Sequence, residues 1–143
     1  MGLDFDDYAR EGKEFINRLA SELGHPDRKD QVGILLRAVL HTLRDRISVA
    51  ENLHIVAQLP MFLKGMYVDQ WSYSEEVDRL KTAGEFAKRV EEHQAQFGET
   101  RFDWNASTEE LITRVLAEVE RYLTEGEIED VKSELPEEIA ALV

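Results

Sequence analysis

The sequence predicts an all-α protein, built as two tandem four-helix units forming one compact, bundle-like domain. Three observations carry this. Apolar residues recur at helical spacing along the 143 residues, no segment alternates with period two, and one stretch returns at a fixed offset. Positions 35–67 lie on 111–143 at an offset of 76 without a gap: Leu35, Val39, Leu40, Glu51, Leu59 and Pro60 recur as Leu111, Val115, Leu116, Glu127, Leu135 and Pro136. The predicted units are 1–71 and 72–143, packed together as a single domain.

Each element has its own reason. The opening helices, expected near 4–23 and 75–97, share Glu14-Phe15-x-x-Arg18 and Glu85-Phe86-x-x-Arg89. The second helices, near 28–46 and 108–122, carry apolar stripes, Val32, Leu36, Val39, Leu40, Leu43, Ile47 and Leu111, Ile112, Val115, Leu116, Val119, Leu123. The third, near 49–58 and 125–134, begin at Ser48-x-x-Glu51 and Thr124-x-x-Glu127. Both spell a capping box, in which the hydroxyl accepts from the backbone N–H of the Glu while the Glu reaches back to the cap N–H. The fourth, near 60–70 and 136–142, start at Pro60 and Pro136, because proline is favoured at a helix start and disfavoured inside one. Segments 69–74 and 98–106 are turn-rich, and the first is the expected joint between units.

Composition narrows the function. A net charge of −13, with 30 acidic against 17 scattered basic residues, repels a phosphate backbone, so nucleic acid is not an expected partner. The absence of cysteine removes disulfides, thiolate metal sites and cysteine nucleophiles. The start, Met1-Gly2-Leu3-Asp4-Phe5-Asp6-Asp7, is acidic and resembles no export signal, and Asp6 stands where a myristoylation signal needs Ser or Thr. No apolar run reaches bilayer length, so a cytoplasmic protein without membrane contact is expected.

The run Ala38-Val39-Leu40-His41-Thr42-Leu43-Arg44-Asp45-Arg46, followed by Ala57-Gln58-Leu59-Pro60-Met61-Phe62-Leu63-Lys64-Gly65-Met66-Tyr67 and Trp71, resembles the bacterial family called domain of unknown function 2267. The resemblance spans nearly the whole chain. It implies a small protein of two helical units, and it transfers neither a reaction nor catalytic residues.

Chemistry-bearing residues are sparse. No nucleophile elbow, phosphate-cradling loop, zincin motif or dinucleotide fingerprint is present, so no enzyme is expected, no catalytic residue is assigned and no cofactor or metal is expected. The acidic pairs, such as Glu75-Glu76 and Glu109-Glu110, read as solvated helix faces. Glu51-x-x-His54 has the spacing used in helical di-iron sites, but it stands alone: its counterpart is Glu127-x-x-Asp130, and Glu51 is already explained by the Ser48 cap. His41, replaced by Ala117 in the second unit, and His54 are weak pocket candidates. His25 and His93 are expected to face solvent.

The copies differ most informatively at Met61 and Phe62, where the second unit has Glu137 and Glu138. Charged side chains are seldom buried unpaired, so these positions face outward in a lone unit and Met61 and Phe62 must be covered by something. Met61, Phe62, Tyr67 and Trp71 are the candidate interaction surface. The expected function is a non-catalytic helical interaction or regulatory module, with a protein partner or a homodimer. The alternative is a small-molecule or metal-binding protein with a pocket between the units.

Overall fold

Asp4 starts the first helix by accepting from the backbone N–H groups of Asp6 and Asp7 at 3.0 and 3.2 Å. That helix opens the computed structural model, which describes residues 4–99 and 101–143. The described residues form eight helices and no strand: α1 (Phe5–Glu22), α2 (Lys29–Arg46), α3 (Val49–Gln58), α4 (Met61–Val68), α5 (Ala83–Ala95), α6 (Thr108–Glu120), α7 (Glu125–Ser133) and α8 (Glu137–Ala140). No helix among them is long and apolar enough to cross a membrane. Residues 1–3 of the acidic start lie outside the described residues.

The middle of the molecule is α2, which packs on α1, α4, α5 and α6. Its predicted stripe is buried throughout, and so is that of α6 except for the partly exposed Leu123. One continuous core joins Phe15, Leu36, Leu63, Phe86, Ile112 and Ile139, drawn from α1, α2, α4, α5, α6 and α8. Burial of this kind supplies roughly 25 cal/mol per Å² of apolar surface, far more than the capping contacts.

Two features differ from expectation. The fifth helix begins at Ala83 rather than near 75, because Thr82 and Glu85 form a full capping box: Thr82 Oγ1 accepts from Glu85 N–H at 3.0 Å, and Glu85 accepts from Thr82 N–H at 3.2 Å. The joint accordingly runs over 69–82. It is pinned to the end of α2, where Asp78 N–H donates to the Asp45 carbonyl at 2.8 Å and Arg46 Nε donates to the Leu80 carbonyl at 2.8 Å. The first of these bonds satisfies a carbonyl at the end of α2 that has no partner within its own helix.

The second difference lies at the third helices. Ser48 Oγ and Thr124 Oγ1 do accept from Glu51 and Glu127 N–H, at 3.2 and 3.1 Å. The return half of each predicted capping box is made by a residue of the opposite half of the chain. Ser48 N–H donates to Glu134 Oε1 at 2.8 Å, and Thr124 N–H donates to Gln58 Oε1 at 2.9 Å. Residues 58 and 134 are themselves matched at the offset of 76, so the exchange is reciprocal. Pro60 and Pro136 occupy matching N-cap positions of α4 and α8.

Candidate functional site

An open apolar groove runs between α1, α2 and α4. It encloses about 700 Å³ and is floored by Phe15, Ile16, Leu36, Phe62, Leu63 and Met66. Tyr8 and Ala9 extend one wall, and Lys13, Asn17 and Lys29 provide its polar edge. The groove follows from the sequence of α1, whose aromatic and apolar residues recur on one side, and from Gly12, which sits against Phe62. A Cβ at Gly12 would meet the Phe62 Cβ at 3.4 Å, an ordinary van der Waals contact. Its volume falls within the ordinary range for ligand sites, and its shape is that of an open trough.

Phe62 is held from two directions inside the chain. Its ring centroid lies 5.5 Å from that of Phe15 and 6.3 Å from that of Tyr122, which belongs to the second half. The covering demanded by the sequence is thus partly internal. Met61 remains 46% exposed. At the position matching Phe62 in the second half, Glu138 instead accepts from the Ala83 backbone N–H at 3.3 Å, at the start of α5.

Tyr67 departs from the expected surface. It is fully buried, and its hydroxyl donates to Asn52 Oδ1, so it has no face for a partner. Asn52 Nδ2 in turn donates to the carbonyls of Arg44 and Ser48 at 2.8 and 3.1 Å, tying the α2–α3 corner to α4. Burial raises the Tyr67 pKa, keeping the hydroxyl protonated. Trp71 is half-buried, with the Arg44 guanidinium 5.9 Å from its ring centroid. Arg44 is buried and donates to the carbonyls of Tyr67 and Asp69 at 2.9 and 3.0 Å, which closes the end of α4.

The histidines separate. His41 is buried, with Nε2 2.7 Å from the Met66 carbonyl, and lines a polar cavity of about 230 Å³ with Arg37, Asp45 and His93. Burial, opposed by that carbonyl and reinforced by Arg44, Arg37 and His93, lowers its pKa to about 4. His93 is half-buried rather than solvated, and burial lowers its pKa too. His25 stacks on Trp104 at 4.3 Å. His54 is exposed and lies elsewhere, on α3.

There, α3 packs on α7 and brings Glu51 and Glu127 together. Both residues are buried, at 8% and 5% exposure, where α3 packs on α7, and the cap N–H groups expected to hold their carboxyl groups are taken by Glu134 and Gln58. Burial, followed by the neighbouring Glu51, raises the pKa of Glu127 well above the usual carboxylate range. With His54 they place three ligand-type atoms within 4.8 Å of one another. The offset of 76 pairs the two Glu in the sequence; that α3 and α7 would also pack together was not legible there.

Compared with known families, residues 12–142 match the model described as an uncharacterized conserved protein, DUF2267. No curated protein matches the chain.

Proposed function

We propose that this chain, which belongs to the DUF2267 family, is a non-catalytic helical interaction module of the cytoplasm that receives the apolar face of an amphipathic partner helix in the α1–α2–α4 groove. The observation that carries this reading is the groove itself. A trough of about 700 Å³ is floored by apolar side chains, and it contains Phe62 and Met66 from the segment singled out in the sequence. Its polar edge favours a partner of particular charge. Lys13 and Lys29 stand there in a protein of net charge −13, so acidic residues flanking the partner's apolar face would be drawn to this side. The groove lining is apolar apart from Tyr8, Lys13, Asn17 and Lys29, which supports a binding role.

The arrangement of 1–71 and 72–143 as two copies of one unit belongs to the same reading. It is supported by the reciprocal caps of α3 and α7 and by the matched N-cap prolines. In this view the two copies differ at the groove, where Glu138 stands in the second at the position of Phe62 in the first.

A photo-crosslinking residue at exposed Ala9 in host cells tests the proposal, with the same residue at exposed Glu129 as control. The expected result is a discrete adduct from position 9 alone, lost in Met66→Glu and weakened in Lys13→Glu. Adducts insensitive to both changes, or equal from position 129, would overturn it.

A further inference from the structure

We propose that Glu51, His54 and Glu127 form a binding site for one divalent transition-metal ion between α3 and α7. The site rests on four observations beyond acidity. The three ligand-type atoms already lie within 4.8 Å of one another without an ion to gather them. Glu51 Oε1 and Glu127 Oε2 are buried and receive no hydrogen bond from a protein N–H or hydroxyl, so the facing carboxyl groups have only each other and a shared proton, which a 2+ ion would displace. His54 Nδ1 stands 3.8 Å from Glu51 Oε2, too far for a hydrogen bond. Bond lengths near 2.1 Å in a tetrahedral shell separate adjacent ligands by about 3.4 Å, so only a small closure is needed.

The fourth observation is why these carboxyl groups are available. In a complete capping box each Glu would be held by its own helix start; here Glu134 and Gln58 take those N–H groups, leaving Glu51 and Glu127 to face one another. The sequence argument against Glu51-x-x-His54 was its lack of a second copy. The third ligand is instead Glu127, the residue matched to Glu51 itself.

The donor set selects the metal class. Two carboxylates neutralise a 2+ charge, and Asp130 and Glu134 add negative potential around Glu127. One imidazole with two carboxylates suits Zn²⁺, Co²⁺, Fe²⁺ or Mn²⁺. Ca²⁺ needs six to eight oxygens, and Mg²⁺ keeps most of its water. Exposed His54 supplies the solvent side, by which an ion enters and where water completes its shell. The core is complete without the ion, so the site joins α3 to α7 in a protein that folds without it.

Chelator-treated protein titrated with Co²⁺, followed by visible absorption, and with Zn²⁺, followed by calorimetry and melting, tests this. Expected are one equivalent per chain, ligand-field bands for Co²⁺, a melting temperature raised by Zn²⁺ but little by Mg²⁺, and affinity reduced by more than about tenfold in His54→Ala and Glu127→Gln, at least the loss seen when outer partners of a metal site are removed. No saturable one-to-one uptake by the folded protein would overturn the proposal. Equal uptake by folded His54→Ala would overturn it too, and that exposed position decides the matter even if Glu127→Gln does not fold.

Discussion

Glu134 closes a helix that belongs to the opposite half of the chain: its two carboxylate oxygens accept from Ser48, one from the backbone N–H and one from the hydroxyl, each at 2.8 Å. The carboxylate thereby holds the start of α3 while the Ser48 hydroxyl caps Glu51 N–H. Glu134→Ala should lower stability by about 1–2 kcal/mol, the scale of a lost N-cap, and Gln58→Ala by about 1 kcal/mol because it removes a single acceptor from Thr124. Urea unfolding with an unchanged denaturant slope is the check; no loss in either variant would show that water caps these helices equally well.

Met61 and Phe62 should behave differently although they are adjacent. Phe62→Glu places a charge between Phe15 and Tyr122 and should cost several kcal/mol. Met61→Glu, on the exposed side of α4, should fall within about 0.5 kcal/mol of the parent. Thermal melts of the two single variants separate them, and equal destabilisation would contradict the packing described.

Tyr67→Phe tests the buried link from α4 to Asn52. Losing the hydroxyl leaves Asn52 Oδ1 without its donor in the core, and a cost of about 1–3 kcal/mol is expected. Asn52→Ala should cost at least as much, since the Arg44 carbonyl loses the Asn52 Nδ2 donor and the Ser48 carbonyl keeps only the backbone N–H of residue 52. Additivity in the double variant would show that the two residues do not act as a pair.

His41 gives an acid-side prediction. Its folded pKa is lowered to about 4, against 6.5 for the free side chain, so between those values the unfolded chain binds the extra proton. Its contribution to stability is present above pH about 6.5 and is lost as pH falls toward about 4. In His41→Gln the fall in stability over that window should be shallower than in the parent, as measured by urea midpoints at a series of pH values. Parallel curves would assign the acid response to other groups.

The parts of the fold legible in the sequence were those written in local chemistry. The stripes of α2 and α6, the hydroxyl caps at Ser48 and Thr124 and the proline starts are each set by neighbours within a turn or two, and all lie where the spacing put them. The late start of α5 is likewise written in local chemistry, in Thr82-x-x-Glu85. Other features are not local. A capping box read from Ser48 and Glu51 looks complete, and only the packing of α3 on α7 shows that Glu134 takes the second role. Tyr67 shares the segment of Met61 and Phe62 expected to form a surface; it is buried instead, with Asn52, fifteen positions earlier, accepting from its hydroxyl.

The crossed caps bear on how the chain can be divided. A fragment ending in the 69–82 joint would carry Ser48 without Glu134, and its complement would carry Thr124 without Gln58. Each piece would also expose the helix face through which α3 and α7 meet. The halves should therefore behave as complementing fragments rather than autonomous modules: severed at the joint, they are expected to recover a finished structure only by reassociating, and the intact polypeptide is expected to unfold as one cooperative body.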